Sequence, residues 1–160
     1  MTHVYYRIDD RLIHGQVATR WANYYYLKQI IIADDEVANN PMQKQVISMT
    51  APSNIKVKIS TINESANEII DAEKNEVNTL VLIKGPKSLV ELHKNNVSMQ
   101  EIIIGGMQFK EDTTKVTNTV YISKQQKELF KELSNEEIKL IYQVIPDDKR
   151  MDFNKLLDKA

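Results

Sequence analysis

Short apolar runs recur along the chain, each followed by a stretch whose apolar positions carry helical spacing. Val4 to Ile8 reads as a first strand and Gln16 to Tyr24 as a first helix. Gln29 to Ala33 ("QIIIA") is a second strand. Asn40 before Pro41 opens a helix, with asparagine as N-cap and proline at the first helical position. Ile55 to Ser60 is a third strand, and "TINE", Thr61 to Glu64, has the spacing of a capping box that starts a helix through about Ala72. Thr79 to Lys84 is a fourth strand, followed by Gly85-Pro86 and a helix to about Asn95. Glu101 to Ile104 is a fifth, ending in Gly105-Gly106, and Val120 to Ile122 a short sixth. Ser123 caps a helix over Gln125 to Leu133, with "SKQQ" as a second capping box. Ile138 to Val144 is a seventh strand, stopped by Pro146, and a helix over Met151 to Lys159 closes the chain.

The runs "QIIIA", "TLVLI" and "EIII" are apolar throughout and do not alternate. Such strands are covered on both faces, as in a parallel sheet between helical layers. The regular strand–helix alternation points the same way. The expected class is α/β: an open, mainly parallel sheet of about seven strands with helices on both faces. No repeat, low-complexity tract or linker interrupts the pattern, so residues 1–160 read as a single domain.

Composition narrows the function more by exclusion than by indication. With 160 residues, 42% hydrophobic, the chain is long enough to bury a core, and no apolar run is long enough to span a bilayer. A net charge of −1 supplies no basic face for nucleic acid or an anionic membrane. The absence of cysteine removes disulfides, thiolate nucleophiles and cysteine-ligated zinc, and suits a reducing cytoplasm. "MTHVYYRIDD" has no basic region ahead of an apolar run, so no signal peptide is expected, and any membrane role would be that of a peripheral partner.

In an open parallel sheet, ligands bind outside the carboxyl ends of the strands. Here those ends carry Asp9, Asp10, Arg11 and His14, then Asp34-Asp35, then Lys84-Gly85-Pro86, then Gly105-Gly106. Lys84 and Gly85 therefore border the same edge as His14. His14 lies on a strand-to-helix loop, at a helix N-terminus whose free amides (Gly15, Gln16, Val17) and dipole favour an anion. Arg11 adds a planar, permanently charged fork suited to phosphate. A nucleophilic imidazole beside anion stabilisers suits a histidine that takes a phosphoryl group and passes it on. Asp9 and Asp10 either orient the arginine or the imidazole, or act as caps and loop acceptors. A metal site drawn from His14, Asp9, Asp10, Asp34 and Asp35 has no recognised ligand spacing. No dinucleotide, P-loop or nucleophile-elbow motif is present. His3 and His93 read as solvated, Trp21 as core or interface, and Tyr24 to Tyr26 as helix end and packing.

"RIDDRLIHGQV", Arg7 to Val17, closely resembles the active-site segment of the IIB subunits of the phosphoenolpyruvate-dependent sugar phosphotransferase system, mannose/fructose/sorbose family. Trp21, "IIIADDEVANN", "APSNIKV", "LVLIKGP", "IIIGGM" and "YQVIP" resemble that family's later segments, so the likeness runs over nearly the whole chain. One mild departure is Ile104, where the family often has valine before Gly-Gly-Met. The resemblance implies a transferase component of sugar uptake, working in the cytoplasm and peripheral to the inner face of the membrane when docked. His14 would accept a phosphoryl group at Nδ1 from a phosphohistidine of a IIA domain. It would then pass the group to the incoming sugar at the IIC/IID membrane subunits. Arg11 would stabilise the phosphate, with Asp10 orienting the loop and the amides of Gly15 and Gln16 assisting. The family implies no metal and no organic cofactor for IIB. The sugar, the docking residues and self-association into a homo-oligomer are left open. Two other readings stay open as well: a regulatory module whose His14 phosphorylation is read by a partner, and a binding module that holds a phosphorylated metabolite without His14 being modified.

Overall fold

The computed structural model describes residues 2–160. Strands β1 (Val4–Asp9), β2 (Gln29–Ala33), β3 (Lys56–Ser60), β4 (Thr79–Ile83), β5 (Glu101–Gly106) and β8 (Lys139–Tyr142) form the parallel part of one sheet. A two-residue edge strand, β9 (Met151–Asp152), adds antiparallel to β8, and the order is β3-β2-β4-β1-β5-β8-β9. The expected open, mainly parallel α/β sheet is thus present.

Alternate side chains of the central strands feed two separate cores. Val4, Tyr6, Ile8, Val81, Ile83, Ile102 and Ile104 pack with apolar residues of α4 (Ile62–Lys74), α5 (Pro86–Lys94), α6 (Lys124–Asn135) and α7 (Phe153–Lys159). Ile30, Ile32, Leu80, Leu82 and Ile103 pack on the other face with α1 (Gly15–Tyr25), α2 (Asp35–Ala38) and α3 (Pro41–Met49). Every residue of β2 and β4 is buried, which is why neither strand alternates in sequence.

Two departures from the sequence reading share a cause in side-chain capping. Met151–Asp152 is strand, not helix: the Asp152 carboxylate accepts a bond from the Asn154 amide at 2.9 Å, so the helix begins at Phe153 and the preceding pair is free to line the edge of β8. Asp34 caps an unread short helix, α2, by accepting from the Val37 amide at 2.9 Å. The sixth expected strand, β7 (Val120–Ile122), does not join the main sheet. It pairs antiparallel with β6 (Thr114–Thr117), whose single apolar residue, Val116, makes no strand pattern, in a separate hairpin after β5.

The chain leaves β1 toward β2 and leaves β5 toward β8, so the strand order reverses between β1 and β5. That crevice, at the carboxyl ends, is where an open sheet of this kind binds ligands.

Candidate active site

The loop from Asp9 to His14 fills that crevice. Leu12 and Ile13 are buried in the α1-side core, and this anchors a loop in which Arg11 is exposed and Asp10 and His14 are partly exposed. Leu12 takes a left-handed backbone, φ 58°, uncommon for a branched side chain. The turn is held by the Leu12 amide on the Asp9 carbonyl (2.9 Å) and the Arg11 amide on Asp9 Oδ1 (3.1 Å). Gly15, the first residue of α1, has φ 49°, which only glycine takes at little cost.

Asp9 is the centre of the arrangement. It is 1% exposed, and three cationic or titratable groups converge on its carboxylate: Arg7 Nη2 at 3.6 Å, Arg11 Nε at 3.5 Å and His14 Nδ1 at 3.8 Å. His14 is the N-cap of α1 but makes no side-chain cap, so the first amides of the helix are left to another acceptor. Its Nδ1 also lies 3.5 Å from the Leu12 carbonyl, and its Nε2 is buried without a partner among the described residues.

Arg7 is the residue that sequence reasoning passed over. Its two terminal nitrogens donate to the carbonyls of Gln143 and Val144, each at 2.9 Å, and its guanidinium lies 5.1 Å from the centroid of the Trp21 ring. Trp21 donates its own Nε1 to the same Val144 carbonyl at 2.9 Å. Burial pulls the Arg7 pKa down to about 10 against the opposing pull of Asp9, which still leaves it charged at neutral pH. The available signal was an arginine inside a strand otherwise apolar on both faces, aligned by alternation with Asp9.

The other expected site residues divide. Arg11 and His14 meet at Asp9, while Gly15 and Gln16 form the exposed first turn of α1. Asp10 is bonded elsewhere: its Oδ2 accepts the Gln108 amide at 2.7 Å and latches the loop after β5. Lys84 stands 3.7 Å from Asp34. With Gly85, Asp10 and Gln108 it lines an adjoining cleft of about 430 Å³. Asp35 accepts the Ile62 amide at 2.9 Å. Both acids of the second pair are therefore occupied structurally. Among the described residues no group of three or more His, Cys, Asp or Glu side chains is placed to hold a metal ion. Trp21 is core, as expected. His3 and His93 are partly exposed, His3 facing Asn78 at 3.0 Å and His93 facing Glu136 at 3.5 Å. No helix of the described residues is long and apolar enough to cross a membrane.

The chain is similar to known proteins over nearly its whole length. The model for the sorbose-subfamily IIB component of the phosphotransferase system matches residues 3–160. The chain is 32% identical to the fructose-specific EIIB component of Bacillus subtilis, covering 98% of this chain and 96% of that one. It is 30% identical to the sorbose-specific EIIB component of Lacticaseibacillus casei, covering 96% and 94%. It is 29% identical to the mannose-specific EIIAB component of Escherichia coli, of which it spans 47%. Among solved structures, the IIB domain of the Klebsiella pneumoniae sorbose permease superposes with a TM-score of 0.93 at 25% identity, over 99% and 98% of the two chains. The chain belongs to the sorbose-subfamily IIB components of the sugar phosphotransferase system.

Proposed function

We propose that His14 is the phosphoryl acceptor of this IIB component, loaded by a phospho-IIA domain and unloaded onto sugar at the IIC/IID membrane subunits. The observation that carries this reading is the convergence of His14 and Arg11 on a buried carboxylate, beside an uncapped helix N-terminus in the crevice where the strand order reverses. A IIA partner is supported by the mannose-specific relative, whose name joins an A part to the B part that this chain matches.

In the first step the Nδ1 lone pair attacks the phosphorus of the donor phosphohistidine. The donor's phosphorus–nitrogen bond breaks, and its electron pair returns to the donor imidazole. Nδ1 faces two acceptors, Asp9 and the Leu12 carbonyl, in the resting geometry, so the ring turns to meet the donor and carries its proton on Nε2, which frees the Nδ1 lone pair. Turning breaks no protein hydrogen bond at Nε2. The arriving group carries close to two negative charges, which Arg11 and the amides of Gly15 and Gln16 neutralise. In the second step a sugar hydroxyl attacks the phosphorus as the phosphorus–Nδ1 bond breaks. The bond's electron pair returns to His14 and restores the neutral imidazole, and the hydroxyl proton passes to a base or water at the sugar site. Positioning and charge stabilisation carry such transfers. Docking of this kind places the protein at the cytoplasmic side of the membrane.

The test is transfer of label from phosphoenolpyruvate through the general phosphotransferase proteins and a IIA of this family. Acid-labile label on the wild type, and none on folded His14→Ala, is the expected result. Equal label on both would remove His14 from the role. No label on either with competent IIA partners would favour binding of a phosphorylated ligand instead.

A further inference from the structure

Two arginines face the Asp9 carboxylate, and their surroundings differ. Arg11 is 44% exposed and approaches Asp9 Oδ1 from the loop, on a stem free to turn. Arg7 is 2% exposed and held by two carbonyls at the end of β8, with the Trp21 ring beside it. Space for it comes from Gly105, because a Cβ built there would collide with the guanidinium.

The phosphorylated state makes this division consequential. A phosphoryl group on His14 brings strong negative charge next to a carboxylate that is already buried. Arg11, the mobile cation, turns to the phosphoryl oxygens. Asp9 would then be an unpaired buried anion, which is costly, unless another cation stays. Only Arg7 is in place to do so among the described residues. The loop depends on this, since the Arg11 and Leu12 amides both hang on Asp9. We propose that Arg7 is a positioning residue of the phosphoryl transfer, the fixed counter-charge that keeps Asp9 and the His14 loop in place while Arg11 serves the phosphoryl group, and that Gly105 is the opening that admits it. This rests on His14 being the acceptor.

Single-turnover transfer from phospho-IIA tests it, with Arg7→Met, Arg7→Lys, Asp9→Asn and the double variant Arg7→Met/Asp9→Asn. Arg7→Met is expected to slow transfer on the order of 100-fold, the size of effect that a small misplacement of reacting groups produces. Arg7→Lys recovers part of the rate, because it keeps the charge but not the two-carbonyl fork. The double variant is no slower than the slower single one, because Arg7 acts through Asp9. Wild-type rate in Arg7→Met, or losses that multiply in the double variant, would overturn the proposal. If Arg7→Met does not fold, Gly105→Ala gives the answer: it displaces the guanidinium without removing its charge, so slowed transfer sustains the proposal and an unchanged rate ends it. A wild type that takes no label defeats the His14 reading, and this proposal falls with it. Labelled wild type with equally fast variants defeats this proposal alone.

Discussion

The chain ends two of its strands with the same dipeptide, Asp-Asp, and the two copies do different work. Asp9-Asp10 closes β1 and Asp34-Asp35 follows β2. Asp9 gathers Arg7, Arg11 and His14 around one carboxylate, 1% exposed. Asp34 caps α2 and meets Lys84, while Asp35 ties the start of α4 by accepting the Ile62 amide. Nothing in the dipeptide decides this. What decides it is what the chain places opposite: a buried arginine two residues back on the same strand face, and a histidine on the loop that follows. A carboxylate whose contacts are backbone amides stabilises local structure. One that faces cations and an imidazole can hold a reacting group.

The largest expected effect comes from Asp9→Ala. It leaves the Arg7 charge buried with carbonyl partners and no anion, a situation that costs about 3–5 kcal/mol. Denaturant unfolding should show that loss, and label on His14 should vanish with it. A variant as stable as the wild type would mean that the two carbonyls and Trp21 satisfy Arg7 unaided. Arg11→Lys comes next. It keeps a charge near Asp9 but loses the planar fork, so transfer should slow by roughly tenfold, short of the loss of a whole donor, with stability unchanged. An unchanged transfer rate would take Arg11 out of phosphate stabilisation.

Much of this contrast was legible in the sequence, for identifiable reasons. Strands buried on both faces announce themselves as unbroken apolar runs, and Asn40-Pro41, "TINE" and "SKQQ" carry their own start signals; all three caps are present. His14 and Arg11 stood out because ionisable residues at a strand end before a helix have few structural uses. Arg7 did not, because its role depends on carbonyls at Gln143 and Val144, which no local pattern connects to it. Gly105 read either as a strand end or as room for a ligand, whereas its missing side chain is space for Arg7. Strand β6, and with it the hairpin it forms with the expected β7, and the edge strand β9 were missed for a similar reason: their pairing is set by tertiary neighbours, and neither "TKVT" nor "MD" has strand periodicity of its own.

A middle-sized effect on stability alone is expected at the second pair. Asp34→Ala removes the acceptor for the Val37 amide, a cap of the kind that contributes about 1 kcal/mol, and it releases Lys84. Melting should fall modestly while label on His14 stays at the wild-type level. Loss of label there would show that the Asp34–Lys84 contact belongs to the site and that the two pairs are less distinct than their partners suggest.

The smallest effect should fall on Asp10, and it sharpens the comparison from within the first pair. Asp10 is next to Asp9 in sequence but has a different partner: its carboxylate takes the Gln108 amide at 2.7 Å and the Gln108 side chain at 3.3 Å. Asp10→Asn keeps an acceptor oxygen for the amide and loses the charge that strengthens the bond. The expected cost is therefore about 0.5–1 kcal/mol, the difference between a charge-assisted and a neutral hydrogen bond. Transfer to His14 should stay near the wild-type rate, because among the described residues no hydrogen bond or ion pair joins the Asp10 side chain to the Asp9 carboxylate or to His14. Single-turnover labelling of Asp10→Asn beside Asp9→Asn separates the two. If Asp10→Asn falls as far as Asp9→Asn, the loop after β5 is part of the transfer machinery and Asp10 is its link to His14. If only Asp9→Asn falls, the reacting histidine depends on one acid of the pair, and the other serves to fasten the neighbouring loop.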